Sequence, residues 1–398
     1  MRILYITKLW LGLEDLIVRG QTEAGGMPSF LRPFEGLVAA GHQVDCIVAT
    51  DPGTELGRIE ADWLRRTEFT ISPWIPGGLK GWLSVRRLRA AVAAALTRAR
   101  YDFVYGHGAV GAPGLSAAWR AGIACGQRLY GVHGLNKRLD RMPRQALALR
   151  SPLLYQTFRA AKSFLLITDD GSQGDRAWQR LGRPDAFDFH FWRNGVDFGA
   201  QTHDGEPIDP GTKFLFMPAR IAAWKRQHHA LEMLRELHAK GHDDIHLYVA
   251  GGITEADYWD RFQRLRDTYG LGSFVRYLGN LPAPELVPYY KSSVAVLAPY
   301  QVASMGNVVI EALAAGGVVA AQESEVLDGV IKDGENGLRI RSPEDAANRL
   351  ADLLSRPQQI DAMKSHAARS AREIFLPWEE RVAREIGLIE KAVEDRRA

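Results

Sequence analysis

Cysteine is scarce in this chain. Two among 398 residues, Cys46 and Cys125, exclude a disulfide framework and a zinc site built from thiolates, and they suit a reducing cytoplasm. Long apolar runs are missing as well. None approaches the roughly 20 residues that span a bilayer, and the opening MRILYITKLW reads as a charged strand, not a secretory leader. Nor is charge of one sign in large excess: 50 Lys/Arg stand against 47 Asp/Glu, a net +3. The spread is uneven. Residues 1–150 hold 20 basic and 12 acidic side chains, or +8, which leaves 30 − 35 = −5 for the remainder. A nucleic-acid binder would show a denser and more continuous basic surface. A basic first half suits an anionic membrane or an acidic substrate. The length predicts two α/β domains, and 46% hydrophobic content is that of a soluble globular protein.

What is present centres on residues Leu297–Arg339. Val294–Ala298 is a short apolar strand closed by Pro299, and Gln301–Gly306 is small, polar and turn-like. From Asn307 the spacing becomes helical until Gly316-Gly317, Gly317–Ala321 is a second strand, and Asn336-Gly337 is a tight turn. A small-residue loop running from a strand into a helix presents backbone N–H groups at the positive end of the helix dipole, which suits a phosphate. Glu311, one turn inside, is placed to accept hydrogen bonds from sugar hydroxyls. The plain alternative is an ordinary strand–loop–helix unit with a surface glutamate.

The rest of the chain repeats the pattern. Arg2–Thr7 reads as a buried parallel strand, Gly25-Gly26 as a glycine loop, Pro28–Ala40 as a helix and His42–Thr50 as strand two: a βαβ half. Trp74–Arg100 carries six basic residues and no acid. Its Lys80, Trp82, Leu83, Arg86, Arg87 and Arg89 fit either a membrane surface or the solvated face of a crossover helix. Tyr101–Tyr105 leads into GHGAVG at 106–111, formally a dinucleotide fingerprint, but no acidic residue ends the next strand, read near Arg128–Val132. His107 and His133 are read at adjacent strand tips, each either facing a ligand or bonding backbone. Gln201–Thr212, rich in Gly, Pro and acids, reads as a linker. Beyond it, Arg220 and Lys225 follow the strand Phe214–Pro218 and can share one anion, while His228 and His229 read as helix surface. Gly251, Asn280 and Leu281 lie at further strand ends, and Pro377–Glu394 is an amphipathic helix.

Taken in order, these segments resemble the retaining glycosyltransferases of the GT-B fold, the large family that includes sucrose synthases and cell-surface mannosyltransferases. Gly25-Gly26 with GHQVDCIV, YDFVYGHG, GVHG, RNGVD at 193–197, Arg220/Lys225, YLGNLP at 277–282, GNVVIEALAAG at 306–316 and DGENGL at 333–338 carry the resemblance across nearly the whole chain. It implies an acceptor-binding Rossmann-like domain over residues 1–200, a linker at 201–212, and a donor-binding Rossmann-like domain over 213–375. A helix over 376–398 would pack back across the domains. By the same resemblance the co-substrate is a nucleotide-diphosphate sugar. Arg220 and Lys225 would hold its diphosphate, and Ser304, Gly306, Asn307 and Val308 its phosphates. Glu311 would bind the ribose, with Gly251, Asn280 and Leu281 beside the nucleotide. His133, Gly25 and Gly26 would face the donor from the first domain, and His107 the acceptor. No metal and no other cofactor is expected, in keeping with the absence of any Asp-x-Asp, the metal bridge of the other glycosyltransferase fold. The implied acceptor is a glycan or lipid-linked saccharide, met on the cytoplasmic membrane face through residues 74–100. One departure stands out: where the family pattern has its first glutamate, this chain has Ala303. Two other readings remain at this point, a silent nucleotide-sugar-binding relative and an NAD(P)-dependent oxidoreductase.

Overall fold

The computed structural model describes residues 1–10, 12–24, 28–198, 208, 211–302 and 305–398. Two compact units emerge: Met1–Gly195 together with Trp378–Ala398, and Val196–Pro377. The first holds a seven-stranded sheet: β1 (Arg2–Lys8), β2 (Gln43–Thr50), β3 (Phe69–Pro73), β4 (Phe103–His107), β5 (Ala124–Leu129), β6 (Phe164–Thr168) and β7 (Asp188–Trp192). Its spatial order is β3-β2-β1-β4-β5-β6-β7, parallel throughout. The second holds β8 (Lys213–Pro218), β9 (Ile245–Ala250), β10 (Val275–Tyr277), β11 (Ala295–Ala298), β12 (Val319–Gln322) and β13 (Gly337–Ile340). Their order, β10-β9-β8-β11-β12-β13, is again fully parallel. Strands β4 and β6 are buried along their whole length and β1 along all but its ends, as parallel strands covered on both faces are.

Several boundaries differ from the sequence reading. β3 goes unread in sequence because FTISP is short and only Ser72 in it is buried. β5 ends at Leu129, so Gly131–His133 belong to a turn and not to a strand. β4 continues through His107, which puts the first glycine of GHGAVG inside the strand. A Cβ on Gly111 would lie 2.5 Å from the Cα of Gly106. These glycines let a helix press onto β4, and packing is the role they have here. Residues 78–98 of the basic stretch form one helix, Gly78–Arg98, with Ser84, Leu88, Val92 and Ala95 on its buried side. At the predicted Asn336-Gly337 turn, Asn336 is fully buried. Its side chain accepts from the Lys332 amide at 2.8 Å and donates to the Val330 carbonyl at 3.0 Å, and Gly337 already starts β13.

The final helix, Trp378–Arg397, belongs to the first unit. Ile389, Ala392 and Val393 join the apolar cluster of Tyr5, Phe30, Phe34 and Phe103. Polar groups fix its position more specifically. The buried Glu385 carboxylate receives Arg128 Nη1 at 2.7 and 2.8 Å, Arg381 Nη1 at 2.9 Å and the Tyr105 hydroxyl at 2.8 Å. Burial alone would raise its pKa. The two guanidiniums and the Tyr105 hydroxyl outweigh burial and hold it below the ordinary value.

Removing this carboxylate leaves two arginines buried without their counter-charge. Glu385→Ala is expected to lower unfolding free energy by about 3–5 kcal/mol in a urea titration. A depressed carboxylate pKa stabilises the fold above about pH 4.3 and loses that stabilisation as pH falls through the folded-state value. The wild type should therefore lose stability below pH 4, and the variant should show a shallower acid limb.

Candidate functional site

In the second unit β8 and β11 are neighbours, and the chain leaves them toward opposite sides of the sheet. Such a switch point opens a crevice at the carboxyl ends of the strands, where ligands of open α/β sheets bind. β8 runs out through Ala219 into Arg220, whose side chain is exposed, and then into the tight turn Ala223–Lys225. β11 runs out through Pro299 into Tyr300. The two exits touch. The Lys225 ammonium lies 3.5 Å from the centre of the Tyr300 ring and 4.2 Å from that of Trp224, and the Gln301 amide donates to the Trp224 carbonyl at 2.9 Å.

Lys225 is the unusual group. It is buried, and among the described residues neither it nor Arg220 makes an ion pair. Burial, and then the neighbouring Arg220 charge, lower its pKa to about 7. The aromatic faces compensate for only part of the lost hydration. A buried cation with a second cation beside it and no acid is a site that an anion would complete.

The backbone around the pair is held from below. Gln227, fully buried, donates through Nε2 to the Arg220 carbonyl at 2.9 Å and to Ala219 at 3.4 Å. Arg226 adopts a left-handed conformation, φ 58°, between the inward Lys225 and the helix Gln227–Ala239. Gly251, with φ 132°, is needed where it stands: a Cβ there would meet the Ala219 carbonyl oxygen at 2.4 Å. Its amide donates to Gly279 at 2.7 Å, and its carbonyl accepts from the Tyr277 hydroxyl at 2.8 Å. The tips of β8, β9 and β10 are thereby tied together, with Asn280 exposed just beyond and Leu281 packed on the unit's core.

On the other side, the helix Asn307–Ala314 begins at Gly306 with no side-chain cap, and Val308 lies in its first turn. Glu311 accepts from the buried Tyr290 hydroxyl at 3.1 Å. Burial raises its pKa, that hydrogen bond opposes the rise, and Asp197 adds to it. The predicted Gly25, Gly26 and Ser304, and Ala303 with them, lie outside the described residues. Sequence reading missed Gln227, Trp224, Tyr290 and Tyr300. Of these only Tyr300 had a signal, its place directly after a strand and a proline.

Two histidine readings need correction. His107 is fully buried, stacked on Tyr5 at 4.3 Å, with Nδ1 2.6 Å from the Tyr130 hydroxyl. Burial and then the Arg128 charge push its pKa well down, so it is a neutral core side chain and cannot touch an acceptor. His133 lies four residues past β5, in a turn flanked by Gly131 and Gly134. Its side chain is 52% exposed, and Nε2 is 2.8 Å from Asp170. His228 and His229 lie half-buried at the start of the helix Gln227–Ala239, His228 bonded to the Tyr258 hydroxyl at 2.8 Å. Among the described residues no group of three or more His, Cys, Asp or Glu is arranged to hold a metal ion.

The profile of the family described as Glycosyl transferases group 1 matches residues 200–370, and that of Glycosyltransferase Family 4 matches residues 34–199. The chain is a group 1 glycosyltransferase. It is thus an enzyme of the GT-B fold, in a family that uses nucleotide sugars. Among solved structures the glycosyltransferase is similar to sucrose-phosphate synthase from Thermosynechococcus elongatus, with TM-score 0.73 and 18% identity over 98% of this chain and 99% of that one. Anabaena HepE, solved with UDP and glucose, gives 0.66 and 16% over 97% and 98%. WaaG, a glycosyltransferase involved in lipopolysaccharide biosynthesis, gives 0.65 and 15% over 96% and 98%. In sequence it is 31% identical over 124 residues to a D-inositol 3-phosphate glycosyltransferase of Thermomonospora curvata. That match spans 31% of this chain and 28% of the relative.

The buried Lys225 makes a proton-counting prediction for the glycosyltransferase. With Lys225 held near 7, an anion that pairs with it should draw in about half a proton per site at pH 7. Calorimetry with inorganic pyrophosphate in buffers of different ionisation enthalpy measures this directly, and Lys225→Met should abolish the uptake. The empty fold binds fewer protons than the unfolded chain between pH 7 and about 10.4, so its stability should rise with pH across that window. Lys162, buried in the first unit and also lowered to about 7, contributes the same trend, so the Lys225→Met difference isolates the site.

Proposed function

We propose that this enzyme is a retaining glycosyltransferase that transfers a sugar from a UDP-sugar to a lipid-linked or membrane-borne saccharide. The observation that carries the reading is the buried Lys225, paired with no acid among the described residues, beside exposed Arg220 at the switch point of the second unit. A sugar nucleotide breaks at the bond between the anomeric carbon and the diphosphate oxygen, and negative charge grows on the departing diphosphate. Arg220 offers a fork of N–H donors and Lys225 a point charge to that group, which strengthens as the bond breaks. The uncapped start of Asn307–Ala314, with Gly306 and Val308, adds backbone donors to the phosphates, and Asn307 and Ser304 add polarity. Glu311 takes the ribose, and Gly251, Asn280 and Leu281 border the nucleobase. With two side-chain cations in place, the diphosphate needs no metal. Uridine is the base proposed because HepE, similar in fold, was solved with UDP and with UDP-glucose.

The acceptor is assigned to the first unit. On the helix Gly78–Arg98, Leu79 is 73% and Trp82 53% exposed, and the Arg86 guanidinium lies 4.7 Å over the Trp82 ring. Lys80, Arg87 and Arg89 are exposed on the same helix. Apolar tips among cations suit the anionic face of a bilayer. No described helix is long and apolar enough to cross one, so the association proposed is peripheral. The two cysteines are free and buried, in keeping with a cytoplasmic location.

Lys225→Ala or Arg220→Ala should lower kcat/KM for UDP-sugar turnover by about 10²–10³-fold, mostly in kcat, while the fold survives. A thermal-shift panel of UDP-, GDP-, ADP- and dTDP-sugars identifies the base. A UDP-sugar at 100 times its Kd should add about 2.7 kcal/mol of stability. Silence across the whole panel from a folded protein would end the transferase reading. Sedimentation with phosphatidylglycerol vesicles, against phosphatidylcholine controls, tests the helix. Each charge removed by Arg86→Gln or Arg87→Gln should weaken binding by about fivefold.

A further inference from the structure

The first unit is basic overall, yet an opening at its sheet edge is acidic. β1, β2 and β3 carry Lys8, Thr50 and Trp74 at or just beyond their carboxyl ends. With the helix Leu13–Ile17 and the loop after β2 they line an open pocket of about 760 Å³, at whose rim Asp51 and Glu55 are exposed. That lies within the roughly 300–1,000 Å³ of small-molecule pockets. Glu14, Asp51 and Glu55 line it against a single lysine, Lys8. Glu14 is partnered by Arg19 at 3.0 Å, while Asp51 and Glu55 make no ion pair among the described residues. The loop is fixed in place. The Thr54 hydroxyl donates to the Asp51 carbonyl at 2.9 Å and lies 3.1 Å from the Thr50 hydroxyl, and the Gly57 amide donates to Ile17 at 2.8 Å.

Unpaired carboxylates repel phosphates and carboxylic acids and accept hydrogen bonds from hydroxyls. Half-buried Trp74 gives the same wall an aromatic surface against which the C–H face of a sugar ring can pack. We propose that this cavity is the saccharide subsite of the acceptor and takes an uncharged or amino sugar, lined by Asp51, Glu55 and Trp74. The inference rests on the transferase reading and divides the acceptor in two. The sugar end goes to the cavity, and the anionic carrier goes to the basic helix Gly78–Arg98, which starts four residues after Trp74. The +8 of residues 1–150 therefore marks the surface that meets the carrier and not the subsite that reads the sugar.

The test is saturation-transfer NMR on the full chain with methyl glycosides of glucose, galactose, mannose, N-acetylglucosamine and glucosamine. Glucose 1-phosphate and glucuronic acid serve as anionic probes. At least one uncharged or amino glycoside should bind, and both anions should not. Trp74→Ala and the double variant Asp51→Asn/Glu55→Gln should each weaken that binding by about tenfold, and the double variant covers the case in which Trp74→Ala fails to fold. UDP binding, followed by thermal shift, should be unchanged in the double variant. Sugar binding that survives both changes belongs to another site and overturns the proposal. So does binding of the anionic probes alone, or of none. Loss of UDP binding by the wild type sinks the transferase reading instead, whatever the glycosides do.

Discussion

One carboxylate, Glu385, decides where the last helix of this chain goes. It sits among Arg128, Arg381 and Tyr105 with every contact between 2.7 and 2.9 Å, in the interior of the first unit. Apolar contacts through Ile389 and Val393 would tolerate a helix slid by a turn, whereas a buried carboxylate facing two guanidiniums tolerates one register only. A unit discontinuous in sequence, residues 1–195 with 378–398, is thereby closed by a charge cluster. Burial, and then the Arg128 charge of the same cluster, lower the pKa of His107.

The second unit treats a buried charge in the opposite way. Lys225 is enclosed by Trp224 and Tyr300, has Arg220 as its electrostatic neighbour, and meets no acid among the described residues. In the first unit the cost of burial is offset within the protein, and the result is architecture. In the second the offset is left to a ligand, and the result is a site. Gln227, Gly251 and Tyr277 hold the three strand tips beneath it, so the cations do not have to be ordered when the anion arrives. A site that stores its own electrostatic imbalance favours a group whose negative charge grows during reaction over one whose charge stays constant.

Charge is also partitioned within the first unit. The helix Gly78–Arg98 carries its basic and aromatic residues outward, while the edge of β1–β3 gathers carboxylates round a cavity. A net charge summed over sequence mixes these surfaces and predicts neither.

Sequence alone determined the alternation of strand, loop and helix. Unbroken apolar runs such as FLLIT and FLFMP have no other home than a parallel sheet covered on both faces, and glycines and prolines mark where such runs stop. It also placed Arg220, Lys225 and Gly306 at strand exits and Glu311 one turn into the helix that follows, because in a parallel sheet every strand end followed by a loop lies on one edge. What it could not supply was depth. His107 and His133 look alike in sequence, each among glycines near a strand end; one is core and the other half-exposed, since β4 runs two residues further than read and carries His107 inside. The meetings of Glu385 with Tyr105 and Arg128 and of Lys225 with Tyr300 join residues from 75 to 280 positions apart, and no local pattern encodes them. Burial and pairing depend on which elements pack together, and that is set only when the sheets close and all their neighbours are in place.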